Sequence, residues 1–161
     1  MRVLGIDPGL AACGYGLVDA DGSRVRSVVS GCLRTRASEP LAERLGAIFR
    51  LVEGLVAEHA PDAVAVEESY VGADARTALA IGQARGAALA AAARAGVECA
   101  EYPPARVKSA VCGYGRADKA QVSHMVRTIL ALAEAPATSH EADALAVAIC
   151  HALLPPLARI A

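Results

Sequence analysis

Two short apolar segments of this chain each end on a carboxylate, and this pattern constrains the fold more than any other. Residues 2–7 run through an apolar stretch to Asp7, before the turn residues Pro8 and Gly9, and residues 63–67 end on Glu67. Short apolar runs of this kind are typical of buried parallel strands. In an open α/β sheet, ligands bind beyond the carboxyl ends of such strands. If the two strands are neighbours, Asp7 and Glu67 therefore reach the same edge of the sheet.

The remaining segments predict an α/β fold with a five-stranded mixed sheet flanked by helices. Residues 13–19 and 24–33 are predicted as strands joined through Asp21-Gly22, a dipeptide typical of hairpins. Helical periodicity covers 41–59, and the prediction continues with helix 75–95, strand 97–101 and helices 104–111, 117–132 and 139–154. Three antiparallel strands thus precede two parallel ones. Because no linker or repeat interrupts residues 1–161, we expect one domain.

Composition narrows the class of protein. With 161 residues, of which 55% are hydrophobic, the chain is long enough and apolar enough to form a packed core. Its five cysteines are odd in number and form no C-x-x-C pair, which favours free thiols in a reducing cytoplasm. The most apolar stretch, 77–93, has Arg85 at its centre, so we expect a buried helix rather than a membrane segment. We expect a cytoplasmic protein without a signal peptide.

Charge is unevenly distributed along the chain, although the net charge is only −1. Residues 37–75 hold eight acids and two bases, whereas residues 76–127 hold eight bases and three acids. A surface that binds a nucleic-acid backbone needs a local basic face and not a basic total. A solvated helical face accounts equally well for any single arginine, so the charge pattern alone leaves both interpretations open.

The last predicted helix offers further ligands for the same sheet edge. In Ser139-His140-Glu141-Ala142-Asp143, the histidine and the final aspartate lie one turn apart in the first helical turn, which Ser139 or Thr138 can cap. Adjacent carboxylates repel each other when buried, and a divalent cation relieves that repulsion. Spacing alone leaves an alternative, in which Asp143 and Glu141 are ordinary first-turn acids favoured by the helix dipole.

Several segments, taken in order, resemble the RuvC-type Holliday-junction resolvases, from residue 2 to about residue 152. The matching segments are Gly5-Ile6-Asp7-Pro8-Gly9, Gly14-Tyr15-Gly16, Gly31-Cys32-Leu33-Arg34-Thr35, Ala65-Val66-Glu67-Glu68, Gly82-Gln83-Ala84-Arg85-Gly86, Val107-Lys108, Lys119-Ala120-Gln121-Val122, His124-Met125-Val126-Arg127 and Ala142-Asp143-Ala144-Leu145-Ala146. The first segment alone is weak, because actin-like ATPases open similarly. The ordered set is specific.

This resemblance implies a ribonuclease-H-like fold and a homodimer with four metal-site residues in each active site. Asp7 matches the first acid of the family, Glu67 the second and Asp143 the last, while His140 stands where an acid is usual, as in some members. It further implies two Mg²⁺ or Mn²⁺ ions, bridged by Asp7 and held singly by Glu67 and Asp143. His140 would bind one ion or orient water there. Because imidazole suits manganese better than magnesium, we expect faster cleavage with Mn²⁺.

The activity implied is the resolution of four-way DNA junctions in recombination and repair. Family members make paired symmetric nicks that leave 5′-phosphate and 3′-hydroxyl ends, and they work with the RuvA-RuvB branch-migration complex. Two other functions remain open on the sequence. A YqgF-type ribonuclease-H-like nuclease, which processes RNA, shares the early G-I-D segment, and a junction-binding protein could have lost activity through His140. An actin-like ATPase would need about twice this length.

The two lysines of the chain, Lys108 and Lys119, stand among 14 arginines. Both coincide with lysines of the family that lie near the scissile phosphate, so the resemblance implies catalytic and DNA-binding roles. A compact ammonium group can neutralise a phosphate where a planar guanidinium does not fit. The alternative is that both are ordinary surface lysines.

Four more residues are predicted to bind DNA. Tyr70 stands where the family often has a phenylalanine near the junction centre; its ring would either stack on an unpaired base or cover the sheet edge. Arg76, Arg85 and Arg116 are candidate phosphate contacts, although Arg85 could instead serve helix packing. The G-Y-G segments at 14–16 and 113–115 match no phosphate-binding loop, so nucleotide binding is not supported.

Overall fold

The computed structural model describes residues 1–68 and 74–155, and within these ranges it contains five strands and five helices. In chain order they are β1 (Arg2–Asp7), β2 (Ala12–Asp21), β3 (Arg24–Arg34), α1 (Leu41–His59), β4 (Ala63–Glu67), α2 (Ala75–Arg94), β5 (Glu98–Tyr102), α3 (Pro104–Cys112), α4 (Lys119–Ile129) and α5 (Ser139–Leu153). The predicted α/β order is confirmed.

The five strands form one mixed sheet in the order β3-β2-β1-β4-β5. β1 pairs antiparallel with β2, and β2 with β3, whereas β1–β4 and β4–β5 are parallel. The register sets Ile6 opposite Val66. The next residues along these two strands are Asp7 and Glu67, so the carboxyl ends meet side by side, as the apolar runs predicted.

Helices cover both faces of the sheet because successive strand residues point to opposite sides. Val3 belongs to the core cluster that α3, α4 and α5 share with the sheet, while Leu4 and Ile6 belong to the cluster under α1 and α2. By the same alternation, Asp7 lies on the face of Val3, toward α5. Glu67 lies on that face as well, two residues after Ala65. Both acids therefore face the start of α5.

Two glycines allow α5 to lie directly on β1 and β2. A Cβ atom at Gly5 would stand 2.0 Å from the Ala144 carbonyl oxygen, and one at Gly14 would stand 1.9 Å from the His140 carbonyl oxygen. Distances this short exclude any side chain without a shift of the helix. The G-Y-G segment at 14–16 thus serves close packing, and this packing brings the first turn of α5 to the end of β1.

The predicted helix 117–132 is shorter in the structure, and β5 is displaced by one residue. Asp118 caps α4 in a capping box with Gln121, so the helix begins at Lys119, while the chain turns at Ala131 with φ of 50°. Strand 97–101 instead spans Glu98–Tyr102, because the parallel ladder pairs Ala63 with Glu98. The smaller extensions of β2 and β3 reflect long hairpin pairing between them.

The fully buried residues of α2 are all alanines. Ala84, Ala88, Ala91 and Ala92 are its buried residues, and its N-terminus is capped by Asp74. Arg85, at the centre of this helix, forms an ion pair with Glu101 of β5. In the described part of the chain, none of the helices combines the length and the apolar character that a membrane crossing requires.

Candidate metal centre

Three carboxylates from distant parts of the chain converge at the edge of the sheet. Asp7 ends β1, Glu67 ends β4, and Asp143 lies in the first turns of α5. One oxygen from each carboxylate lies within 4.8 Å of the others. All three side chains are partly buried at the floor of a cleft. Asp143 is therefore not an ordinary first-turn acid pointing to solvent.

His140 contacts the cluster through Asp7. Its Nδ1 lies 2.7 Å from Oδ2 of Asp7, a hydrogen-bonding distance. The first turn that carries His140 is fixed by Thr138, whose hydroxyl oxygen accepts a hydrogen bond from the Glu141 backbone N–H at 3.1 Å. His140 is not among the three residues whose ligand atoms cluster within 4.8 Å. A direct bond from His140 to a metal stays a prediction.

Glu141, the other first-turn acid of α5, has a structural role. Its two carboxylate oxygens accept hydrogen bonds from the Ser30 hydroxyl, at 2.7 Å, and from the Ala137 backbone N–H, at 2.8 Å. The first bond ties β3 to the start of α5, and the second closes the loop before it. Glu141 thus connects the start of α5 to neighbouring segments and is not part of the carboxylate cluster.

The carboxylate cluster is electrostatically unfavourable without a cation. Burial raises the pKa of Glu67 to about 8, and repulsion from Asp7 and Asp143 adds to that rise. Burial also raises the pKa of Asp7, against the lowering effect of the His140 hydrogen bond, and it raises the pKa of Asp143 together with repulsion from Asp7. These shifts mean that full ionisation of all three carboxylates at once is unfavourable.

The donor set fits a hard divalent cation. Three carboxylates offer only oxygen ligands, which Mg²⁺ and Mn²⁺ accept readily, and His140 adds an imidazole beside them. Burial and repulsion between the carboxylates together raise the pKa of Glu67, and a bound cation would offset the repulsion. Asp7, Glu67 and Asp143 could therefore hold such an ion.

All six residues predicted to be catalytic line one cleft of about 260 Å³. Its walls are formed by Asp7, Glu67, Pro104, Lys108, Lys119, Val122, His140 and Asp143. The Lys119 ammonium lies 3.9 Å from Oδ2 of Asp143, on a side chain that is 74% exposed. Both lysines lower the pKa of Glu67 and Asp143, in opposition to burial. The structure thus brings two cations to the acids while leaving Lys119 accessible from solvent.

The other predicted DNA-binding residues are distributed around this cleft. Arg76 lines an adjacent groove, and Arg116 is exposed in the segment that joins α3 to α4. Arg85 is engaged with Glu101, in agreement with the packing alternative, and a contact with DNA stays a prediction. Tyr70 lies outside the described residues. Arg44, which was not among the predicted residues, lines the same groove as Arg76, and its Nε–H donates a hydrogen bond to the Thr35 hydroxyl.

The family is shown by comparison with known proteins. A family model described as "Crossover junction endodeoxyribonuclease RuvC" matches residues 3–151. The RuvC protein of Heliobacterium modesticaldum is 53% identical over 150 residues, which cover 93% of both chains. That of Halorhodospira halophila is 54% identical over 151 residues, which cover 94% of this chain and 89% of the relative.

Solved structures agree with the sequence comparisons. Thermus thermophilus RuvC has 41% identity and a TM-score of 0.90, with 99% of this chain and 98% of that one covered. In complex with a Holliday-junction substrate, T. thermophilus RuvC gives 43% identity, a TM-score of 0.92 and coverage of 99% and 96%. The yeast mitochondrial resolvase Ydc2 shares the fold, at 14% identity and a TM-score of 0.67 over 92% of this chain and 76% of that one. The structural neighbours confirm the ribonuclease-H-like fold, and the chain belongs to the RuvC family of crossover junction endodeoxyribonucleases.

Proposed function

We propose that this protein resolves four-way DNA junctions by nicking two strands symmetrically in a metal-dependent hydrolysis. The observation that carries the proposal is the meeting of Asp7, Glu67 and Asp143, with ligand atoms within 4.8 Å, in a cleft that also contains both lysines. T. thermophilus RuvC, a relative at 43% identity, has a structure in complex with a Holliday junction. The complex of T. thermophilus RuvC supports a four-way junction as the substrate, and the carboxylates and lysines of the cleft support metal-dependent hydrolysis.

Asp7, Glu67 and Asp143 would hold two Mg²⁺ or Mn²⁺ ions. When bound, the ions would lower the pKa of a water molecule and stabilise charge on the leaving oxygen. His140 keeps Asp7 oriented through their 2.7 Å contact and lies where it could also contact one ion or position water. Imidazole in this place supports a preference for Mn²⁺.

Lys108 and Lys119, which line the cleft together with the carboxylates, would meet the scissile phosphate. The carboxylates repel a phosphate, and two ammonium groups in the same cleft counter that repulsion. During hydrolysis a water oxygen forms a bond to phosphorus, and the bond from phosphorus to the 3′ oxygen breaks. The 3′ oxygen takes a proton, so the products carry a 5′-phosphate and a 3′-hydroxyl that a ligase can join.

Each chain contributes one such cleft within its described residues, whereas resolution needs two cuts. A homodimer supplies two clefts related by symmetry, which suits a symmetric junction. We therefore propose a homodimer, acting with the RuvA-RuvB branch-migration complex in recombination and repair, in the cytoplasm where the DNA lies. Residues 1–161 are proposed to act as one nuclease domain.

The substrate is tested by incubating the purified protein with a mobile four-way junction, a linear duplex and an RNA duplex, each with Mg²⁺ or Mn²⁺. We expect paired nicks in the junction alone, with ends that ligase seals. Cleavage of the RNA duplex would point instead to an RNA-processing nuclease. Tight junction binding without nicks by the wild-type protein would indicate a binding protein that lacks activity.

A further inference from the structure

A groove beside the metal centre is not used by the proposed chemistry. It has a volume of about 470 Å³. It is lined by residues 9–11 of the β1–β2 loop, the first residue of β2, Arg44 of α1, Arg76 and Ile81 of α2, and His140. We call it the arginine groove. His140 also lines the cleft that contains the three carboxylates, so the two depressions meet at this side chain.

Arg44 is held in place at one end of its guanidinium group. Its Nε–H donates a hydrogen bond to the Thr35 hydroxyl oxygen at 2.8 Å, and that hydroxyl donates in turn to the Leu10 carbonyl oxygen at 2.5 Å. These bonds join the start of α1 to the end of β3 and to the β1–β2 loop. Within residues 1–68 and 74–155, the terminal nitrogens of Arg44 form no hydrogen bond or ion pair. They are available to a ligand in the arginine groove.

The lining of the arginine groove has a clear charge preference. Its described residues include two arginines and one histidine but no acid. Asp74, two residues before Arg76, accepts hydrogen bonds from the backbone N–H groups of Arg76 and Thr77 at the start of α2, so its carboxylate is engaged as a helix cap. The other lining side chains are small or apolar, such as Ala11 and Ala80. This surface suits a ligand that combines an anionic group with a compact apolar part.

A nucleotide unit of DNA has this character, because its phosphate is anionic and its deoxyribose is compact. Arginine binds phosphate through paired N–H donors, more specifically than lysine does. One strand carries a phosphate about every 3.4 Å along the helix axis, so a groove that meets the cleft reaches a phosphate within about three nucleotides of the cut.

We propose that the arginine groove binds a backbone phosphate of the cleaved strand, with Arg44 and Arg76 as its contacts. The neighbouring deoxyribose rests on the apolar floor of the groove, and the strand continues past His140 into the cleft. This inference rests on the proposed function, because the cut defines which strand lies in the groove. Arg44 is in this view a DNA-binding residue that fixes the register of the strand at the metal centre.

The test measures binding of a four-way junction in EDTA, so that no strand is cut, at several salt concentrations. Arg44→Ala is expected to weaken binding about ten-fold and to reduce the slope of log affinity against log salt by about one, the effect of one lost phosphate contact. Arg44→Lys should restore the slope but not the full affinity. The matched control is Arg50→Ala, an exposed arginine of α1 that does not line the groove, and it should change neither quantity.

A second measurement locates the phosphate. Junctions with one neutral methylphosphonate, placed at each position within three nucleotides of the cut, are bound to the wild type and to Arg44→Ala. At one position, the neutral linkage should weaken binding by the wild type as much as the substitution Arg44→Ala does on the unmodified junction. The same linkage should not weaken binding by the Arg44→Ala variant any further. Additive losses at every position would overturn the proposal.

Further variants keep the proposal testable if Arg44→Ala unfolds. Arg76 is exposed and caps nothing with its side chain, so Arg76→Ala should fold normally and reduce the salt slope in the same way. Thermal melting of each variant is recorded. If Arg44→Ala loses affinity and has a lower Tm, but the slope of log affinity against log salt is unchanged, the role of Arg44 is purely structural.

The same preparations are assayed for junction nicking with Mn²⁺. If the wild type nicks and both arginine variants keep its affinity and salt slope, the groove inference is wrong and the proposed function stands. If the wild type does not nick, the proposed function is wrong, and the salt slopes still decide whether the groove binds a phosphate.

Discussion

At the scale of single residues, the metal centre depends on where three acids stand in their elements. Asp7 and Glu67 could be predicted to meet, because an apolar run that ends on an acid marks the carboxyl end of a buried strand. The contact of His140 with Asp7 could not be predicted from spacing, because it depends on how closely α5 approaches β1. The same holds for the Arg85–Glu101 pair, which joins residues in two different elements.

The raised pKa of Glu67 makes the stability of the metal-free protein depend on pH. Its pKa is about 8 in the folded state against an ordinary value of 4.5, which we assign to the unfolded chain. Between these values the unfolded chain loses a proton that the folded protein keeps, so the free energy of unfolding falls as pH rises and levels off above about 8. One such group contributes at most about 1.4 kcal/mol per pH unit.

This dependence is measured by urea unfolding in EDTA from pH 5 to pH 9. Glu67→Gln removes the titrating group and should flatten the decline. The control is Glu53→Gln on α1, which leaves the cluster intact. Equal slopes for the wild type and Glu67→Gln would show that the pKa of Glu67 is not raised in the folded protein.

Replacement of either lysine should separate chemistry from binding. Lys119→Ala or Lys108→Ala removes one cation that faces the scissile phosphate, and we expect single-turnover nicking to slow about 100-fold. Junction affinity should fall no more than about ten-fold, because most phosphate contacts remain. Arg24→Ala, at the opposite end of the sheet, is the control. If junction affinity falls by a larger factor than the nicking rate, the lysines bind DNA but do not take part in the chemical step.

At the scale of elements, the packing of α5 on β1 and β2 determines whether the site exists. β1, α1 and β4 match their predicted bounds, because apolar pattern and turn residues mark both ends. The start of α4 differs from its prediction because Ala117 is buried before the cap and does not belong to the helix. Sequence periodicity does not show that α5 crosses the glycines of the sheet, since that is a property of the tertiary packing.

Gly14→Ala tests this packing. The new Cβ would meet the His140 carbonyl oxygen at 1.9 Å, so the start of α5 must move and the acids separate. We expect nicking to fall below detection and the Tm to drop. Gly54→Ala, where a Cβ meets nothing within 4 Å, should leave nicking intact and stabilise α1 by about 0.5–1 kcal/mol. Normal nicking by Gly14→Ala would contradict the requirement for close packing of α5 on β2.

At the scale of the whole molecule, the sheet gathers ligands from opposite ends of the chain while both faces stay covered by helices. The family, the α/β order and the three acids could be predicted from the sequence. The arginine groove could not, because it is formed by the β1–β2 loop, α1 and α2 together, and none of these segments alone shows a binding pattern.

The choice of metal ion is a property of the complete site. With His140 beside Asp7, we expect single-turnover nicking to be faster with Mn²⁺ than with Mg²⁺ at equal concentration. His140→Asp, which introduces the acid usual in the family, should reduce that ratio toward one. Equal nicking rates with the two ions in the wild-type protein would show that His140 does not determine the metal preference. The same ratio of rates in His140→Asp as in the wild type would show this as well.

The most direct measurement is a calorimetric titration of Mn²⁺ into the wild-type protein and into Asp7→Asn, without DNA. Because Asp7 supplies one of the three clustered carboxylates, we predict saturable binding by the wild type and its loss in the variant. Burial raises the pKa of Asp7, so the Tm of the variant without metal should be equal to or higher than that of the wild type. Equal Mn²⁺ affinity in the two proteins would contradict a metal centre built on these three carboxylates.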